Sequence, residues 1–316
     1  MNAADHRRTF DLAAAARFMT THARVLERHR FALLFGPDRG DEVERVITAL
    51  DAYRNPDGGY GWGLEPDLRD TTSQPVGAMH AFEVFEEIVN TGPESVPSTV
   101  IDRARALCDW LASVSLADGG LPFACAVRDA TGCAPWWAGA DTTTSSLHIT
   151  SAVAAKAVRV ARHVAAVREH EWLRAATDYC LGQIAVRERA AYALELQYAI
   201  ELLDALHDRE PDAAAHLQRL GATIPPSGVL PVEGGVEGEV LRALDFAPLP
   251  DRAARRLFDP EVVAAELARL ASEQQDDGGW PVLWATVSPA SAAEWRGMLT
   301  VRAVTILTAE GGSAGL

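Results

Sequence analysis

Gln274-Gln275-Asp276-Asp277-Gly278-Gly279-Trp280 follows a stretch of helical periodicity, Val262–Glu273, and precedes a more apolar one, Ala292–Ala309. The same arrangement recurs upstream as NPDGGYGWG at Asn55–Gly63, ADGGLPF at Ala117–Phe123 and PSGVLPV at Pro226–Val232. Gly58, Gly119, Gly228 and Gly278 are 61, 109 and 50 residues apart. The middle interval is about twice the others, so one unit there has lost its glycine turn. A spacing in this range is the signature of a repeat architecture. An Asp-Gly-Gly ending lets a helix adopt the left-handed cap and reverse sharply.

Each turn has an amphipathic stretch before it and a more apolar one after it. The preceding segments are Glu42–Tyr53, Val100–Ser115, Ala213–Leu220 and Val262–Glu273, and the following ones are Val76–Val89, Thr144–Val164, Glu239–Leu244 and Ala292–Ala309. Val262, Leu267 and Leu270 beside Glu266, Arg269 and Glu273 suit a helix with one wet face. Thr144–Val164 is small or apolar nearly all round until Arg159, as a helix buried on both sides requires. Glu171–Gln183 and Ala190–Leu206 supply the unit without a glycine. Phe10–Leu34 reads as one long helix that closes the ring, giving six inner and five outer helices. Strand-prone pieces such as Val229–Val232 are short. The expected fold class is all-α: one α/α toroid domain over 1–316, of about six helical hairpins.

Composition narrows the partners. Only one of the 29 basic residues is a lysine, Lys156, and the net charge is −15. That balance argues against a broad nucleic-acid or anionic-membrane surface. Cys108, Cys125, Cys133 and Cys180 show no CxxC spacing, Met1–Arg8 is polar, and no stretch reaches transmembrane length. The expectation is a cytoplasmic chain with reduced thiols. Neither a metal site nor a cofactor motif is read in it.

The turn Gln274–Trp280 fits the QxxxGxW (QW) motif of squalene-hopene and oxidosqualene cyclases. The chain therefore resembles the terpene-cyclase and prenyltransferase α/α toroid. Arg54 and Ser115 stand at the glutamine position of two other turns, with Tyr60 and Leu121 at the tryptophan position. The resemblance implies an isoprenoid-processing enzyme, isomerase or lyase, that starts a cyclisation by protonating an apolar substrate in a central cavity. In that family the acid lies in an Asp-x-Asp-Asp-Thr run at the start of an inner helix. The similar place here reads Asp67-Leu68-Arg69-Asp70-Thr71, with Arg69 where the proton donor would be. A guanidinium does not release a proton usefully near neutral pH. The candidates for the acid are therefore Glu65, Asp67, Asp70 and Asp141, the last opening the next inner helix.

The loop Gly61–Gln74 is dense in polar groups and enters an inner helix directly. Two carboxylates in a poorly solvated mouth push each other's pKa apart, giving one acid and one base. The alternative is a capped helix start in which Asp70 or Thr71 is the N-cap and Arg69 pairs with Asp67 and Glu65. Candidate ligand-contacting residues are Trp62, Trp136, Trp137, His148, Trp284, Trp295, Arg69 and Gln74. Aromatic faces among them can grip an apolar ligand or stabilise positive charge. Packing of the turns and a satisfied core histidine are the plain alternatives. Two other functions stay open: a carbohydrate-active α/α-barrel hydrolase or lyase using paired carboxylates, and a non-catalytic toroid that binds a hydrophobic ligand or a partner protein.

Overall fold

Asp57, Asp118 and Asp277 each accept a hydrogen bond from the backbone N–H of the second glycine after them, at 2.9, 3.1 and 3.1 Å. In the same turns Asn55, Leu116 and Gln275 each donate their N–H to the carbonyl of that second glycine. The first glycine takes a positive φ: 93° at Gly58, 88° at Gly119 and 93° at Gly278. One turn chemistry therefore ends three hairpin halves in the same geometry, and the periodic spacing in the sequence is a spacing in space.

The computed structural model describes residues 9–37, 39–92 and 96–311; the polar stretch Met1–Arg8 lies outside the described residues. Its helices begin with α1 (Leu12–His22), α2 (Val25–Phe35), α3 (Glu42–Asp51), α4 (Pro75–Asn90) and α5 (Ser98–Val114). The one-turn α6 (Pro135–Ala138), α7 (Leu147–Val160), the one-turn α8 (Ala165–Arg168), α9 (Glu171–Val186), α10 (Ala193–Leu206) and α11 (Ala213–Gly221) follow. An antiparallel ribbon of β1 (Leu230–Pro231) and β2 (Val240–Leu241) leads to the one-turn α12 (Ala243–Phe246), α13 (Pro260–Ser272) and α14 (Pro289–Ala309).

Going round the inner ring, α2 packs on α4, α4 on α7, α7 on α10 and α10 on α12. Arg302 of α14 donates to Asp245 and to the Leu244 carbonyl of α12, and α14 packs on α2, which completes the circuit. Outside them, α3 lies on α2, α5 on α4, α9 on α7, α11 on α10, α13 on α12 and α1 on α14. The fold is an all-α toroid of six inner and six outer helical positions among the described residues.

Two expectations need correction. Phe10–Leu34 is not one helix: Ala23 and Arg24 are extended, with ψ 158° at each, so α1 belongs to the outer ring and α2 to the inner. Arg24 holds the break, donating to both carboxylate oxygens of Glu27 and to the carbonyls of Gly63 and Leu64. Glu239–Leu244 is not a helix either. Its first part pairs in the ribbon, where Val232 donates to the Glu239 carbonyl, and only α12 remains as the fifth inner element. The glycines Gly234, Gly235 and Gly238 before it favour turns over a helix.

The remaining outline holds. Apart from Lys156 and Arg159, every residue of α7 is buried, and Ser146 caps the helix by accepting from the Ile149 N–H. The core fills the space between the rings, with Phe82, Phe85 and Ile88 of α4 fully enclosed. Burying side chains of this kind contributes about 1.5–3 kcal/mol each. The missing glycine turn falls between α9 and α10. Arg219 of α11 takes its place there, donating to the carbonyls of Ile184, Arg187 and Glu188.

Every glycine turn rests on the next outer helix: Gly58 on Ala106 of α5, Gly119 on Ala175 of α9, Gly228 on Val262 of α13 and Gly278 on Ala14 of α1. A Cβ at Gly278 would collide with the Ala14 backbone as well as strain a left-handed residue. Gly278→Ala is expected to lower stability by about 2 kcal/mol or more in urea unfolding. Gly182→Ala, on α9 with nothing within 4 Å of the added atom, is expected to raise it by up to about 1 kcal/mol. Equal effects at the two sites would contradict the ring closure described above.

Candidate active site

Loops that leave the outer helices at one rim all enter inner helices, so the first turns of α4, α7, α10 and α14 face one axial space. Pro75 at the first position of α4 and Pro289 at that of α14 start their helices where no amide hydrogen bond is lost. With a rise of about 1.5 Å per residue, position 80 lies about 7 Å below the start of α4 and position 87 about 18 Å below it.

At the upper level His80 is held between two carboxylates. Its Nε2 is 2.9 Å from Glu65 Oε2 and its Nδ1 is 2.9 Å from Glu83 Oε2. Burial alone would lower the His80 pKa, but the hydrogen bonds to Glu65 and Glu83 outweigh it and hold it up at about 9. The ring is an imidazolium at neutral pH and donates from both nitrogens. Trp295 of α14 sets its ring edge-on to His80 at 6.2 Å, and Trp284 stands edge-on to Trp295 at 5.1 Å.

Below this level the axis is lined with charge. Lys156 of α7 lies 2.7 Å from Glu201 of α10 and 3.5 Å from Glu83 of α4. Burial opposes the charge on Glu83, and Lys156 with His80 overcomes it, keeping that carboxylate ionised. Glu83, Lys156 and Glu201 still keep 23%, 15% and 17% of their side-chain surface accessible, so these charges are not sealed from water. Further down, Arg159 of α7 pairs with Glu201 and Asp204 of α10, and Arg252 reaches across the ring to Glu86 of α4 at 3.1 Å. These pairs lie toward the C-terminal ends of α4, α7 and α10. Along the α14–α2–α4 seam a second ladder runs Arg69–Glu294–Arg24–Glu27–Arg30–Glu87, its shortest contacts 2.6, 2.7 and 2.8 Å.

The four carboxylates nominated from sequence do not converge. Glu65 alone meets the histidine. Asp67 is a clasp: its Oδ2 accepts from Trp295 Nε1 at 2.7 Å, its Oδ1 from the Val287 N–H at 3.2 Å, and its carbonyl from Ala134 N–H. Burial would raise the Asp70 carboxyl, but hydrogen bonds from Thr72 and nearby backbone amides hold it below the usual range. Asp141 is exposed at the rim, and hydrogen bonds from Thr143 and Thr144 hold it down to about 2.

Among the nominated contact residues, Trp284 and Trp295 stand together beside His80, and Trp137 and His148 both contact Phe123. Trp137 stacks on Phe123 at 4.7 Å, and Phe123 meets His148 edge-on at 5.4 Å. Trp136 is exposed, and so is Trp62, the one non-glycine residue at positive φ among the described residues, whose Nε1 donates to Asn55 Oδ1. Arg69 pairs with Glu294, and Gln74 clamps the backbone of Cys125 from both its amide atoms. Sequence reasoning missed Glu83, Lys156, Glu201, Tyr192 and Tyr198. One signal was available: Lys156, the single lysine, lies in a stretch that is small or apolar nearly all round until Arg159. Among the described residues no cluster of histidine, cysteine and carboxylate groups suits a metal ion, and no helix is long and apolar enough to cross a membrane.

No protein-family model matches the chain, and no curated protein matches its sequence. Among solved structures the chain is similar to a type II terpene cyclase from Scytonema, in complex with its product merosterolic acid A. The identity is 14%, the TM-score 0.47, and the match covers 96% of this chain and 86% of that one. At that score the likeness says nothing about the chemistry of this chain.

Replacing His80 leaves the buried Glu65 carboxylate without its charged partner, while the half-buried Glu83 keeps Lys156. His80→Gln is expected to cost about 3 kcal/mol in urea unfolding at neutral pH. Because the folded-state value lies above the unfolded one, His80 contributes its full linkage stability below about pH 6.5 and loses it as pH rises through about 9. The thermal midpoint of the wild type should fall over that interval, and His80→Gln should lack that part of the fall. A His80-independent alkaline profile would contradict the Glu65–His80–Glu83 bridge.

Proposed function

We propose that the axial space is a reaction chamber for a small isoprenoid carrying a polar oxygen function, in which Glu65 and His80 start an isomerisation or cyclisation by proton transfer. The observation that carries this reading is His80, held protonated between Glu65 and Glu83 at the level of Trp295. The proton on His80 Nε2 passes to Glu65 Oε2 and on to an oxygen of the ligand. Loss of a proton from the rearranged product recharges the pair. Trp295 and Trp284 present aromatic surface on which developing positive charge is stabilised. Asp67 and Asp70 keep the rim loop in place, and Asp141 caps the next one. The charged lining restricts the ligand: desolvating Glu83, Lys156 and Glu201 against a pure hydrocarbon is costly, so the ligand directs a polar group toward them.

That same charge-lined wall favours a second reading, a polyhydroxylated ligand handled by a hydrolase or lyase with Glu65 and Glu83 as its carboxylates. One experiment separates the two. Thermal shift and product analysis are run with farnesol, farnesyl diphosphate, squalene epoxide and a set of methyl glycosides, on the wild type and on Glu65→Gln. The isoprenoid reading expects an isoprenoid alcohol or epoxide to raise the midpoint and be converted, with Glu65→Gln still binding but turning over at least about 100-fold more slowly. Stabilisation by glycosides alone assigns the chamber to the second reading. Binding with no conversion makes the ring a binding protein, and no shift with any compound removes the chamber reading.

A further inference from the structure

The wall beside the Glu65–His80–Glu83 bridge carries a second histidine in the opposite electrostatic state. His148, in the first turn of α7, is stacked on Tyr198 of α10 at 4.9 Å and 19° and is met edge-on by Phe123. Its Nδ1 lies 3.2 Å from Tyr192 Oη, and Tyr192 is in turn hydrogen-bonded to Ser146, the cap of α7. No carboxylate touches the ring, and burial holds it down to about 3, so it is neutral throughout the ordinary pH range. Tyr198 is neutral as well, pushed up by burial and by the carboxylates of Glu201, Glu83 and Glu65.

Two polar atoms of this stacked pair have nothing to bond to. Among the described residues neither His148 Nε2 nor Tyr198 Oη makes a hydrogen bond, and neither is sealed from solvent. Polar atoms in a largely enclosed wall are satisfied by water or by a ligand, because leaving them bare costs about 1–3 kcal/mol. Their polarity is complementary. When Tyr192 Oη accepts from both the Ser146 hydroxyl and His148 Nδ1–H, Nε2 is left as an acceptor, while the Tyr198 phenol is a donor.

We infer that His148 Nε2 and Tyr198 Oη form a recognition site for one hydroxyl group of the ligand, which accepts from the phenol and donates to the imidazole. Tyr192 is the positioning residue that selects the imidazole tautomer. A carbonyl satisfies only Tyr198 and a hydrocarbon satisfies neither, so the pair discriminates alcohols from both. The inference rests on the chamber reading above and names the chemical group that the chamber binds.

Diethyl pyrocarbonate tests it directly. The bare Nε2 attacks a carbonyl carbon of the reagent, the bond to ethyl carbonate breaks, and the Nδ1 proton leaves with that group as ethanol and carbon dioxide. On the folded wild type at about pH 6, peptide mass mapping is expected to find carbethoxylation at His148 and none at His80, whose nitrogens both carry protons. Farnesol is expected to slow labelling at His148 by about tenfold or more at saturation, with farnesene, its hydrocarbon counterpart, having no effect. In Tyr198→Phe the label still forms, and farnesol protects at least about tenfold less well. No label at His148, equal protection by farnesene, or labelling that no hydroxyl compound slows would each overturn the inference. Protection by a methyl glycoside but not by farnesol keeps the hydroxyl site and removes the isoprenoid reading alone.

Discussion

The backbone of one outer helix lies against the α-carbon of a glycine from the hairpin before it, and this contact sets the rest of the architecture. Gly58, Gly119 and Gly278 accept it because they have no side chain and tolerate a left-handed φ. Each contact fixes the angle between one hairpin and the next. The last of them places Gly278 on Ala14, so the end of the chain meets its beginning. Gln274 secures the junction by accepting from the Asp11 N–H and donating to the Asp11 and Gly278 carbonyls. A ring closed this way has an axis, and the inner helices must face something across it.

What they face is mostly charge. Isolated charges in such a place are costly, and even paired ones recover little beyond their desolvation. The pairs on α4, α7 and α10 are therefore a poor means of gaining stability compared with aliphatic packing. What they supply is polar surface inside the ring: Glu83, Lys156 and Glu201 retain accessible surface that leucines would make apolar. The two histidines show how finely the wall is divided. His80 touches two carboxylates and is charged, whereas His148 touches aromatic rings and is neutral.

Much of the fold could be read from the sequence because turns are local. Asp-Gly-Gly encodes its own hydrogen bonds, and α3, α4, α5, α9, α10, α13 and α14 overlap the segments that periodicity marks out. The break at Ala23–Arg24 could not be read, since it is imposed by carbonyls of the distant residues Gly63 and Leu64. The loss of helix at Glu239–Leu244 was signalled only by nearby glycines. In the site, Glu65 and His148 were visible, but Glu83, Glu86 and Glu87 on α4 look in sequence like the wet face of a surface helix. Amphipathic periodicity tells which residues share a face and not whether that face meets bulk solvent or a hollow. Asp67, Asp70 and Asp141 were conspicuous as carboxylates in rim loops, and they hold those loops in shape.

The account stands on opposite charge states for two histidines in one wall. Nitrogen-15 NMR of the histidine side chains, with His80→Gln and His148→Phe used for assignment, measures those states directly. At about pH 7 the account predicts His80 with both ring nitrogens protonated and His148 as a single neutral tautomer. A neutral His80, or a His148 that titrates near the value of a free imidazole, would contradict it.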